Sequence, residues 1–232
     1  MTSLTKEALL NLNSLGLIPG PGECAEDFSK RADYCLNLRS RLPDEITSVL
    51  SGKHQLDANG ARPAMNRLAD LYGCTPEWIP IFFTNHQLPF WQGGCAWIFQ
   101  MTEQSPTASL IQLRHNFASG KKYLGLYDRD ELLTHELCHA ARMMFQEPKY
   151  EEIIAYNSSG NCLRRALGSL VQSSKESALF LLLLFVIIVF DIFLIATGRN
   201  DAYTISLWLR ALPIALLSAA LFRLWSRTRT YQ

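Results

Sequence analysis

The chain has 232 residues, a hydrophobic content of 48% and a formal net charge of +1. That length accommodates one ordinary domain plus an appendage, and the near-zero charge excludes the basic footprint of a nucleic-acid partner. The charge is unevenly spread: residues 178–232 carry five Arg against two acids, whereas residues 1–177 carry 17 Lys and Arg against 19 Asp and Glu. A near-neutral globular part therefore precedes a basic, apolar tail. Cys24, Cys35, Cys74, Cys95, Cys138 and Cys162 lack the dense spacing of a disulfide-stapled mini-protein. The N-terminal residues show no basic n-region and no uninterrupted apolar h-region, so no secretory signal is read, and free thiols in a reducing compartment are expected.

Residues 4–15 are apolar at helical spacing until "IPGPGE" (18–23) interrupts them. A second helix is expected over Ala25–Leu38. "RLPDEITSVLSG" (41–52) reads as a short helix closed by Gly52, and "ARPAMNRLADLYG" (61–73) as another stopped by Gly73. "CAWIFQM" (95–101) and "SLIQLRHNF" (109–117) are β-branched and aromatic runs of strand length, separated by the turn-rich "TEQSPTA". "KKYLGLY" (121–127) is a third strand candidate. Because Gln112 and Arg114 break the second run, it is expected at a sheet edge.

"YDRDELLTHELCHAARMMF" (127–145) follows. Asp128 with Glu131 three residues on has the form of a capping box. Leu132, Leu133, Leu137, Ala140, Ala141 and Met144 repeat at helical spacing, which predicts a helix from about Arg129 to Phe145, broken at Pro148. A new helix is expected near Lys149, and "CLRRALGSLV" (162–171) continues helically to a polar hinge, "SSKES".

Two apolar segments close the chain, Ala178–Thr197 and Tyr203–Phe222, each of 20 residues with a single charge, Asp191 in the first and Arg210 in the second. A spanning helix needs about 20 residues. The first segment has no polar face, so a transmembrane hairpin is expected. Arg164, Arg165 and Lys175 precede it and Arg223, Arg227 and Arg229 end it, whereas the connector holds only Arg199 beside Asp201. The positive-inside rule then puts both termini in the cytosol, and the chain is expected to be an integral protein of a bacterial inner membrane with its globular domain cytosolic. A symmetric hairpin sets Asp191 and Arg210 at the same depth, where they can pair.

The chemistry lies in "HELCH". On a helix, positions i and i+4 share a face, so His135 and His139 can chelate one metal ion. Glu136, beside the first of them, can act as a base without being a ligand. The alternative is a core helix with two hydrogen-bonded histidines. Cys138, within the motif, reads as a small core hydrophobe rather than a ligand. A third ligand is sought downstream in "EPKYEEIIAY" (147–156). Glu147 abuts Pro148 and falls in the turn. Glu151 and Glu152 leave room for the chain to turn back. Only one of them can face a metal, and Glu152 is preferred because Ala155, three residues on, lets two helices approach. The alternative for this acidic pair is a solvated helix start. Tyr156, one turn after Glu152, is a candidate donor to an oxyanion, with packing at a helix interface as its other reading. Arg142 and Arg164 can orient Glu152 or a substrate carboxylate, or form surface salt bridges.

"HELCH" followed by "EEIIAY" resembles the gluzincin zinc metallopeptidases, most closely the minigluzincins. The resemblance covers Tyr127 to Arg165. It implies Zn2+ held by His135, His139 and Glu152, and Glu136 as general base in peptide hydrolysis by zinc-activated water. It also implies an upper sheet strand lying antiparallel to bound substrate, for which "SLIQLRHNF" is the candidate. The family's glutamate motif ends in Ala followed by Asp or Asn, and here Tyr156 stands in that last place. The expected fold is α+β: a small, mostly helical zincin-like domain with a short mixed sheet, followed by a two-helix transmembrane hairpin. The expected divisions are an N-terminal helical segment (1–60) serving as scaffold or latency plug, in which Cys24 can offer a thiolate to zinc, a metallopeptidase domain (61–172) and the hairpin (178–222). Expected partners are a membrane-proximal peptide or protein substrate and the lipid bilayer. The competing reading is a non-catalytic zincin-like binding module, or an effector whose hairpin enters a host-vacuole membrane.

Overall fold

A computed structural model describes residues 5–42, 55–145, 147, 149–170, 174–199 and 203–231. The short helix expected over residues 41–52 lies almost wholly outside them. The chain divides into two compact units, Met1–Glu147 with Asn157–Gly160, and Pro148–Tyr156 with Asn161–Gln232.

In the first unit, helix α1 spans Lys6–Ser14, α2 Ala25–Leu36, the single turn α3 Leu38–Arg41, and α4 Ala58–Tyr72. Their starts follow from capping chemistry. Thr5, Cys24 and Asp57 each accept a backbone N–H of the first turn through the side chain. Helix α4 buries Ala61, Ala64, Met65 and Leu68, one stripe at helical spacing. It ends where Gly73 adopts φ 69°, a left-handed value that glycine takes without strain. Ahead of α2, Arg31 grips Glu23 through two bonds, Nε to Oε1 at 2.7 Å and a terminal nitrogen to Oε2 at 2.8 Å, and also donates to the Ile18 carbonyl at 2.8 Å. The "IPGPGE" loop is thus anchored by a buried ion pair rather than by apolar packing.

Three strands form a mixed sheet in the order β1-β3-β2: β1 Ile81–Phe83, β2 Gly94–Phe99 and β3 Ala108–Leu113. β1 runs parallel to β3 with Phe82 opposite Gln112, and β2 runs antiparallel with Cys95 opposite Gln112. This overturns the edge placement of "SLIQLRHNF". Its strand is central, with all six residues buried and a neighbour on each side, so no substrate strand can add to it. The physical reason is Gln112, fully buried, whose amide nitrogen donates to the Thr84 and His86 carbonyls at 3.1 and 2.7 Å while its oxygen accepts Trp97 Nε1 at 2.8 Å. Its polarity is satisfied inside, so it does not signal solvent. A two-stranded ladder, β4 (Lys122–Tyr123) with β5 (Tyr127–Asp128), leads into helix α5, Arg129–Ala141. Helix α5 packs against α4, β2 and β3.

In the second unit, α6 spans Glu151–Asn157 and α7 Cys162–Leu167, which tightens into a 3-10 turn at Gly168–Leu170. Helices α8 (Ser174–Thr197) and α9 (Tyr203–Tyr231) follow. Helix α8 already begins at Ser174, so most of "SSKES" is helix rather than hinge. Both helices are long and apolar enough to cross a membrane. The two pair through their charges: Arg210 donates to Asp191 at 2.7 Å, Ser206 donates to the same carboxylate, and Arg223 bonds both Glu176 oxygens at 3.1 and 3.2 Å. Arg210 also reaches the Tyr203 hydroxyl at 3.3 Å. The expected pairing of Asp191 with Arg210 is therefore realised.

Candidate metal centre

Helix α5 is fixed before it presents any chemistry. Asp128 accepts the N–H groups of Asp130 and Glu131 at 3.0 and 3.2 Å, and Arg129 donates its N–H to the Lys121 carbonyl at 2.8 Å. Leu133, Leu137 and Ala140 are fully buried, which sets the rotation of the helix about its axis. The Thr134 hydroxyl, also buried, returns to the Asp130 carbonyl at 2.8 Å. The Glu131 carboxylate also accepts the Ser159 hydroxyl. Helix α5 also stops at Ala141, one turn short of Phe145, with Arg142 as its C-cap. The Arg142 guanidinium lies 5.0 Å from the centre of the Phe145 ring.

His135 and His139 project from one side of this helix, both half-buried. Their Nε2 atoms approach to 3.1 Å, with the ring centres 4.8 Å apart and the planes at 75°. Convergent Nε2 atoms on rings one turn apart are what a chelating pair requires. One ligand atom from each of His135, His139 and Glu152 lies within 4.8 Å of the others. Two imidazole nitrogens and a carboxylate oxygen are a donor set that can hold a metal ion and leave a coordination position open. Of the two adjacent glutamates in α6, Glu152 belongs to the group.

Glu136 is buried at 8% exposure on the same helix. Two thiols lie in its field. Burial, with the Glu136 carboxylate adding to the rise against the Trp97 hydrogen bond, pushes the Cys95 thiol up to about 12. Cys138 is likewise pushed to about 12, first by burial and then by Cys74, with Glu136 adding to the rise against Arg142 and Ser158. Both are thiols rather than thiolates at neutral pH, in keeping with Cys138 as a core residue. All six cysteines are free. Cys24 is exposed, and its sulfur caps α2 by accepting the Asp27 N–H at 3.4 Å.

Tyr156 is half-buried, and its ring lies directly over Gly168, where an added Cβ would overlap it. Gly168 has ordinary helical dihedrals, so it is glycine for space, not for backbone freedom. The sequence offered no signal for this pairing, nor for Ser159 beside Glu131. A second unpredicted residue is Arg114, buried at 7% exposure, which donates Nε to the Gln92 carbonyl at 2.9 Å and a terminal nitrogen to the Leu88 and Pro89 carbonyls. The broken apolar run at Arg114 was its only trace.

No known protein family, curated protein or solved structure matches this chain.

Proposed function

We propose that the chain is a membrane-anchored zinc metallopeptidase of gluzincin type. The observation that supports this reading most is the convergence of His135 Nε2 and His139 Nε2 at 3.1 Å beside the Glu152 carboxylate. Two nitrogens bound to one tetrahedral zinc at ~2.05 Å stand about 3.3 Å apart, so the imidazoles need no repacking to share it. His135, His139 and Glu152 would hold the ion. A zinc ion there supplies Lewis acidity toward a peptide carbonyl and toward water.

The other steps belong to the chain's own residues. Glu136, buried and adjacent to His135 in the sequence, would take a proton from an attacking water and return it to the leaving amine. Tyr156 is proposed to donate a hydrogen bond to the oxyanion, its ring held by Gly168. Helices α8 and α9 anchor the chain in a bilayer with both termini cytosolic, and a membrane-proximal peptide or protein is the substrate class that follows.

Metal analysis of the full-length protein in detergent, together with cleavage of a peptide library by the native chain and by Glu136→Gln, tests the proposal. Stoichiometric zinc in both, with cleavage lost only in the variant, is the expected result. Well-folded native protein that binds no zinc overturns it.

A further inference from the structure

The first unit carries an apolar knob that the metal centre does not use. The Leu88–Gln92 loop and the β4–β5 turn stand side by side, joined where the Tyr123 hydroxyl donates to the Phe90 carbonyl at 2.6 Å. Arg114 stacks on the Tyr123 ring at 4.9 Å and, through its bonds to the carbonyls of residues 88, 89 and 92, fixes the first loop. A buried cation thus holds a rigid platform, yet the side chains it displays face solvent: Phe90 is 71% exposed, Trp91 47%, Leu124 54% and Leu126 66%. Leu124 even adopts φ 52°, a left-handed value costly for a bulky residue. Lys121 and Lys122 adjoin the knob, both exposed and in no ion pair among the described residues.

We infer that this knob is a second membrane contact, in which Phe90, Trp91, Leu124 and Leu126 enter the interfacial layer of a bilayer while Lys121 and Lys122 meet anionic headgroups. Trp and Phe at protruding tips, with lysines at their base, are the composition that partitions into the headgroup region. The lysines complement the negative surface of a cytoplasmic leaflet. The inference rests on the proposed membrane anchoring for the supply of a bilayer, but not on metal or catalysis.

The test uses the full-length chain with Cys24→Ser and Cys162→Ser, which removes the two exposed thiols. The remaining four are buried or half-buried with raised pKa values, three of them at about 12, and do not label at neutral pH. Single reporter sites are then added as Leu126→Cys in the knob, Glu103→Cys in the turn at the far end of β2, about 20 Å away by strand rise, and Ile214→Cys in α9. Each is labelled with a polarity-sensitive fluorophore and reconstituted into phosphatidylcholine vesicles containing phosphatidylglycerol and nitroxide-bearing lipid. The expected result is a blue-shifted, nitroxide-quenched label at 126, an unquenched label at 103, and a several-fold loss of quenching at 126 with Lys121→Glu and Lys122→Glu.

An unquenched label at 126 overturns the inference, as does equal quenching at 126 and 103. A label at 126 that is shielded without nitroxide quenching would assign the knob to a protein partner and also overturns it. The label at 214 reports separately on the hairpin, so failure of the anchoring reading is distinguishable from failure of the knob.

Discussion

Replacing Gln112 with Leu probes the reason β3 sits at the centre of its sheet. The change keeps the volume roughly constant but deletes three short hydrogen bonds, to the Thr84 carbonyl at 3.1 Å, the His86 carbonyl at 2.7 Å and the Trp97 indole at 2.8 Å, beside a weak one from the Cys95 thiol at 3.9 Å. A hydrogen bond is worth about 0.5–1.5 kcal/mol net, and a buried partner left unsatisfied costs about 1–3 kcal/mol. Thr84 is buried, so its carbonyl cannot regain water, whereas His86 and Trp97 lie at exposed positions and can. The three losses together come to about 3 kcal/mol, one full penalty and two partial ones. For a chain of this size that lowers the melting temperature by roughly 6–12 °C. Thermal unfolding of the detergent-solubilised full chain, with Trp97→Phe beside it, measures the effect. Trp97→Phe removes one bond and loses about 1 kcal/mol. A Gln112→Leu chain that melts within about 2 °C of native would refute the account of how a polar residue came to occupy the central strand.

Four further outcomes follow from the same geometry. Ser109 is fully buried and its hydroxyl has no hydrogen-bond partner among the described residues, so Ser109→Ala should raise the melting temperature, by an amount equivalent to about 1 kcal/mol; a fall contradicts this. His139→Ala should abolish stoichiometric metal binding in equilibrium dialysis, whereas Glu151→Ala should leave it intact. Glu136→Gln should lower peptide cleavage about 100-fold or more with metal content unchanged. Burial alone would raise the Glu23 carboxyl, but the Arg31 and Gly20 hydrogen bonds outweigh it and hold its pKa below the ordinary 4.5. A group depressed in the folded state stabilises fully above its unfolded value and loses that contribution as pH falls through the folded one. Native protein should therefore lose stability below about pH 4.5 more steeply than Glu23→Gln, and identical acid titrations of melting temperature would contradict the pairing.

What was legible in the sequence was local. The Asp128 cap, the Gly73 stop and the facing of His135 and His139 depend on residues within a few positions of one another, and periodicity carries that information directly. The Asp191 and Arg210 pairing was legible too, because a short connector fixes which residues of a hairpin meet. Long-range satisfaction was not legible. Gln112 looked like an edge residue until the carbonyls of residues 84 and 86 arrived beside it. The Ser159 hydroxyl reaches Glu131 from 28 residues away, a contact that no local pattern announces. The early end of α5 at Ala141 is a related case. Met143 and Met144 continue the apolar pattern, but Met143 is buried in a turn rather than a helix.

The two ionic clasps between α8 and α9 bear on how the chain is made. Glu176 with Arg223 and Asp191 with Arg210 close the same pair of helices at points separated by 15 residues of α8 and 13 of α9. At about 1.5 Å per residue these spans differ by only ~3 Å, so a slip of one helical turn would part both clasps at once. During synthesis α8 emerges first, with Asp191 bare until residues 203–210 have left the ribosome. Under the proposed membrane anchoring, the physically cheap order is for the nascent α8 to wait at the aqueous boundary and for both helices to pass into lipid as a neutralised pair, which would make the insertion step one cooperative event rather than two.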